Sequence, residues 1–252
     1  MHRLLLILVL TFYGSVMMFG QTSTNDISDN DKQKLLYIAH KFVKRYQQTR
    51  DIAPLLPEFF IGNFGECMTQ MGKQIPSATK NELTPQDLVR GYVAEVNSFY
   101  IVGVAGTYVD GAGSDDEIMI TGLFPPRIAK QFNQMANAHD FLSDSDFSDR
   151  RQFLKKLKVW ETTISEAQRF LRRKRIEQST RYLKHFRKEE QGLGRYFIET
   201  KTVEEGFPCK VSTRGLGRPT RTYIVFTPLG LELILVSIRG NFKVVMAYPP
   251  TD

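Results

Sequence analysis

The side chains with the clearest chemical potential are cationic. Between Arg150 and Glu190 stand 14 Lys/Arg against 5 Glu, with the run Arg172-Arg173-Lys174-Arg175 near the middle. Guanidinium forks match the oxygens of carboxylates and phosphates. Arg172, Arg173, Lys174 and Arg175 are therefore candidates for contact with an anion. A second candidate is the loop Arg214-Gly215-Leu216-Gly217-Arg218-Pro219-Thr220-Arg221. There Arg214, Arg218 and Arg221 flank backbone amides that can cradle a negative group. It lacks the Lys-Ser/Thr of a P-loop. Each feature also has a plainer reading. The first can be a solvated face whose last cations offset a helix C-terminus; the second can be a charged hairpin tip that discourages edge pairing.

Other chemistries find less support. The histidines beyond the N-terminal segment are His40, His139 and His185, and none has a His or Cys at helical ligand spacing. No H-E-x-x-H occurs, so neither a metal nor a cofactor is expected. His139-Asp140 is the best local acid-base pair, and it reads more simply as a loop histidine. Asp110 to Glu117 holds four acids and two glycines, but their spacing does not match a calcium loop of EF-hand type. No G-x-S-x-G elbow is present, nor an S-x-x-K with its companion motifs. Cys67 and Cys209 are the only cysteines, too few for a four-Cys zinc site or a disulfide scaffold. In an oxidising compartment a Cys67–Cys209 disulfide is the expectation.

The compartment is suggested by the first twenty residues. Met1-His2-Arg3 is a short positive start, and Leu4 to Phe19 carries no acid or base. That length lies between a signal-peptide core and a membrane-spanning helix. The sequence predicts a signal peptide over 1–20, cut after Gly20, with a membrane anchor as the alternative. Residues 21–30 read as a polar mature N-terminus. The resulting protein would be periplasmic or secreted. Its partner would be an envelope protein or an anionic envelope component, and export argues against nucleic acid. The formal net charge of +7 falls to +6 without Arg3, so the mature chain outside the basic region is slightly acidic.

Several elements must position these residues. The 42% hydrophobic and 24% charged composition is that of a globular protein, not a disordered one. Leu35, Ile38, Ala39, Phe42, Val43 and Tyr46 recur at three- and four-residue steps, predicting a helix over 31–50. A short helix interrupted by Pro54 and Pro57 should follow, then an aperiodic stretch from Gly62 to Thr79. Thr84-Pro85-Gln86-Asp87 is a helix start, and Leu88, Val89, Tyr92, Val93, Val96 and Tyr100 form its stripe. Phe99 to Val109 could extend that helix or form a buried strand. Pro125-Pro126 opens another helix, to about Ala138. From Asp149, Phe153, Leu157, Trp160, Ile164, Ala167 and Leu171 make a narrow apolar seam. It should be buried, with Lys155, Lys156, Arg169, Arg172, Arg173 and Lys174 in solvent. Strands are predicted at 195–203, 207–212, 221–227, 231–238 and 242–248, antiparallel because their connections are short. The fold class is α+β: N-terminal and central helices packed on one face of a C-terminal antiparallel sheet. Residues 31–252 read as one such domain, helical over 84–190 and β-rich over 195–248.

Two pieces resemble the NTF2-like superfamily, a cone of helices packed on a curved sheet. Lys34 to Phe60 (KLLYIAHKFVKRYQQTRDIAPLLPEFF) is similar to its opening helix and short second helix. Arg221 to Tyr248 (RTYIVFTPLGLELILVSIRGNFKVVMAY) is similar to its closing hairpins. Thr84 to Glu190 departs from that pattern, and no catalytic residue carries over. Two functions follow as expectations. One is a non-catalytic binding module of the cell envelope. The other is a small-ligand binder or enzyme with a pocket between helices and curved sheet.

Overall fold

A computed structural model describes residues 27–62, 64–72, 83–108, 122–137, 149–176, 197–201, 222–229, 231–238 and 240–248. The chain divides into two compact units. Gly72–His185 forms one; the flanking stretches Leu5–Met71 and Phe186–Asp252 together form the other. The first is helical, while the second joins helices to a sheet, so the fold class is α+β.

In the flanking unit, α1 runs Asp29–Thr49. Ser28 caps it by accepting from the Asp31 amide, and Asp29 and Asp31 oppose the positive helix end. Leu35, Ala39, Phe42, Val43 and Tyr46 form its buried face, as the periodicity predicts. Arg50 ends the helix in the left-handed region at φ 54°, its amide reaching Tyr46 O. The interrupted helix is a 3-10 turn, Ala53–Leu55, running into the single turn α2, Leu56–Phe59. Next comes α3, Phe64–Gly72, in a stretch that reads as aperiodic. Its inward residues Phe64, Cys67 and Met68 do follow helical steps, but two glycines within nine residues mask the pattern.

Four antiparallel strands follow in the order β1 (Phe197–Lys201), β2 (Thr222–Phe226), β3 (Glu232–Ile238), β4 (Asn241–Tyr248). The predicted strand at 207–212 lies outside the described residues. Gly240, at φ 76°, makes the β3–β4 turn. Ile234 pairs with Met246 but Leu235 with Val244, so Val245 is the extra residue of a bulge. Phe60 adds a parallel bridge beside the bulge, with the Ile61 amide donating to Val244 O at 3.0 Å. Helix α1 packs against β2 and β4. Thr222–Val225 and Val244–Ala247 are buried at consecutive positions. Neighbouring strand residues point to opposite faces, so along β2 side chains on both faces of the sheet are buried.

The helical unit holds α4 (Pro85–Tyr108), α5 (Pro126–Asn137) and α6 (Arg150–Lys174). Phe99 to Tyr108 continues α4 as helix, which settles the ambiguity of that apolar run. Thr84 and Asp87 form a reciprocal cap. The Thr84 amide donates to Asp87 Oδ2 (3.0 Å), and the Asp87 amide donates to Thr84 Oγ1 (3.2 Å). Asp149 caps α6 by accepting from the Arg151 and Gln152 amides. Phe153, Leu157, Trp160, Ile164, Ala167 and Leu171 are all buried. Lys155, Arg169, Arg172, Arg173 and Lys174 are exposed and Lys156 is half-buried. Helix α6 packs on both α4 and α5.

Candidate functional site

Helices α5 and α6 meet through aromatic rings. Phe124, just before α5, stacks on Phe132 at 5.9 Å between centroids and lies 5.5 Å from Phe170 of α6. Buried Ile128, Ala129 and Phe132 give α5 its inner face. This packing sets the first turn of α5 beside the C-terminal half of α6. Between them opens a cavity of about 460 Å³, lined by Arg127, Ile128, Glu166, Arg169, Arg172 and Arg173.

Among the described residues, the lining thus holds four guanidiniums and one carboxylate. Arg127 Nη2 pairs with Glu166 Oε1 at 2.7 Å. The other carboxylate oxygen, Oε2, is enclosed and accepts no hydrogen bond among the described residues. Arg169 Nε donates to Ser165 O (3.3 Å) and Arg172 Nε donates to Gln168 O (3.4 Å), each one turn back along α6. These bonds use the Nε donor of each guanidinium, which carries four further N–H donors on its Nη atoms. Arg169, Arg172 and Arg173 have no acidic partner among the described residues. The formal balance of the described lining residues is +3.

Of the residues singled out from sequence, Arg172 and Arg173 line this cavity. Lys174 and Arg175 do not; Lys174 ends α6 and Arg175 is its left-handed C-cap at φ 52°. Arg172, Arg173 and Lys174 also occupy the last turn of α6, where cations offset the helix dipole. Arg214, Arg218, Arg221, His139, His185 and Cys209 lie outside the described residues. His40 is exposed on α1, and Cys67 is fully buried on α3. Sequence reasoning missed the roles of Arg127 and Arg169. Arg169 had a signal, because it stands three and four residues before Arg172 and Arg173 and so shares their face. Arg127 had none, since only the packing of α5 on α6 brings it there.

Two further ionic clusters are struts. In the flanking unit Glu58 of α2 binds Lys41 Nζ (3.0 Å) and Arg45 Nε (3.4 Å) of α1, while Lys243 of β4 donates to its carbonyl (3.3 Å). The Lys41 hydrogen bond, against a smaller effect of burial, holds the Glu58 carboxyl below its ordinary range. In the helical unit Arg90 of α4 forms a two-pronged pair with Glu161 of α6, at 2.9 and 2.7 Å. That contact raises the Arg90 pKa. Arg150 Nε donates to Asp87 Oδ2 at 2.8 Å. Burial pushes the Asp87 carboxyl up, but the bonds from Arg150 and Thr84 together outweigh it and hold the group below the usual range. Among the described residues no group of three or more His, Cys, Asp or Glu could hold a metal ion. No helix among them is long and apolar enough to cross a membrane.

No family model, curated protein or solved structure matches this chain. Its function must therefore be argued from its own geometry.

Proposed function

We propose that the protein is a non-catalytic binding module of the cell envelope, exported by its N-terminal segment, that holds an anionic component in the α5–α6 groove. The observation that carries this reading is the convergence of Arg127, Arg169, Arg172 and Arg173 on one cavity, with Glu166 the sole acid of its lining among the described residues. Like charges of this number repel at close range, so collecting them costs stability unless an anion offsets it. Export rests on the charged start and apolar run of residues 1–19. N-terminal sequencing of protein from the envelope should find a chain beginning near Gln21; a chain beginning at Met1 and held in membranes would favour the anchor. The NTF2-like resemblance of the flanking unit is supported by α1 lying against β2 and β4. It is also supported by the position of Gly72–His185 between the two stretches that carry the resemblance. A Cys67–Cys209 disulfide belongs to the same reading; intact mass with and without reductant, after alkylation, tests it.

The binding reading is tested with vesicles containing phosphatidylglycerol. The wild-type chain should be retained at low salt and released near physiological ionic strength, where the screening length is about 8 Å. Arg169→Gln/Arg172→Gln/Arg173→Gln should lose retention while keeping its melting temperature, because all three side chains are exposed. Equal retention of the two proteins would refute it.

A further inference from the structure

The groove has more than a sign; it has a charge, a size and an apolar wall. We infer that its ligand is a phosphate monoester, a dianionic phosphoryl group carried on an organic body. This deepens, and rests on, the reading of the α5–α6 groove as an anion site. Three observations lead to it. First, the described residues of the lining carry a formal +3, and three of its arginines lack an acidic partner among the described residues. A carboxylate or sulfate ester brings one negative charge to such a site, whereas a phosphate monoester brings about 1.5–2 at neutral pH with three acceptor oxygens. Arg169, Arg172 and Arg173 of the same lining each carry Nη donors suited to phosphate oxygens. Second, the cavity of about 460 Å³ falls in the size range of sites that enclose an organic molecule and exceeds what a bare ion fills. Third, Ile128 supplies a carbon surface within the lining, where the body of an ester can rest. The first turn of α5 contains no acid to repel the phosphoryl group.

Whether the ester is lipid-borne or free in solution is a matter of source; the recognised chemistry is the same. The test titrates the full chain at low salt, near pH 7.5, with 4-nitrophenyl phosphate and 4-nitrophenyl sulfate. The two probes share one body and differ in head-group charge. The phosphate ester should bind at least about fivefold more tightly, as expected for a dianion against a monoanion. Arg169→Gln/Arg173→Gln should weaken it by at least about tenfold through loss of charge-assisted hydrogen bonds. Lys155→Gln/Lys158→Gln removes the same charge from exposed positions of α6 outside the lining and should leave binding within about twofold. Vesicles of phosphatidic acid, whose head group is a monoester, separate the sources. Retention that the soluble ester displaces points to a lipid, and binding of the soluble ester without retention points to a free ester; both support the inference. Equal affinity for phosphate and sulfate esters overturns the phosphoryl assignment and leaves the anion site standing. Failure of both esters and of all anionic vesicles overturns the two together. An equal loss in the lysine and arginine variants also overturns the inference, because it reduces the site to diffuse surface charge.

Discussion

Removal of the Asp87 carboxylate is the sharpest test of how the helical unit is held. Asp87 is 4% exposed and sits in the first turn of α4. Its Oδ2 accepts from the Thr84 amide at 3.0 Å and from Arg150 Nε at 2.8 Å, tying the starts of α4 and α6 together. The cap bond is worth about 0.5–2 kcal/mol. A charge-assisted bond would add up to about 3 kcal/mol. The Arg150 side chain is 41% exposed, so water can take over its donors, and about 1 kcal/mol is the fairer figure. Asp87→Ala should therefore cost about 2 kcal/mol. Asp87→Asn keeps an acceptor in place and loses only the charge, so about 1 kcal/mol is expected. Trp160, the only tryptophan, lies on α6 in the same unit, so denaturant unfolding followed by its fluorescence reads the right region. The pH dependence has a definite sign. The folded Asp87 carboxyl is depressed below its ordinary value, so it stabilises above the unfolded pKa near 4 and this contribution is lost as pH falls through the folded value. The gap between wild type and Asp87→Asn should hold at neutral pH and close in acid. A loss under about 0.5 kcal/mol in Asp87→Ala, or a gap unchanged in acid, would refute the reasoning.

Other outcomes follow from single positions. Trp160 is 8% exposed, so its emission should be blue-shifted in the native protein and move red on unfolding; emission at the free-indole position in buffer would contradict its burial. Leu157→Ala empties a fully buried site on α6 and should cost about 2–5 kcal/mol by the same assay. Gly240→Ala should destabilise the sheet unit by about 1–2 kcal/mol, because φ 76° disfavours a Cβ although no atom lies within 4 Å of it. Gly62→Ala meets the same open space without that backbone restriction, so thermal melting followed by circular dichroism should separate the two variants.

Local signals in the chain determined the elements that organise most of this protein. The three- and four-residue recurrence of Leu35 to Tyr46 and of Phe153 to Leu171 specifies which face of α1 and α6 is buried. Thr84, Pro85 and Asp149 mark where α4 and α6 begin, because caps act within one turn. The β-branched and aromatic runs with short turns make β2, β3 and β4 antiparallel neighbours. Tertiary structure decided what depends on distant partners. Phe99 to Tyr108 is apolar all round, so its period is silent and only its continuation within α4 made it helix. The burial of side chains on both faces of the sheet along β2 could not be read from the strand itself, since apolar residues on a strand do not reveal what lies opposite them. The bulge at Val245 depends on pairing with β3, beside the Phe60 bridge. The same holds for the candidate site. Arg172 and Arg173 were visible as a cluster, and Arg169 shares their helical face. Arg127 reaches the groove from 42 residues before Arg169. No local spacing encodes that approach; the burial of Ile128, Ala129 and Phe132 against α6 brings it about.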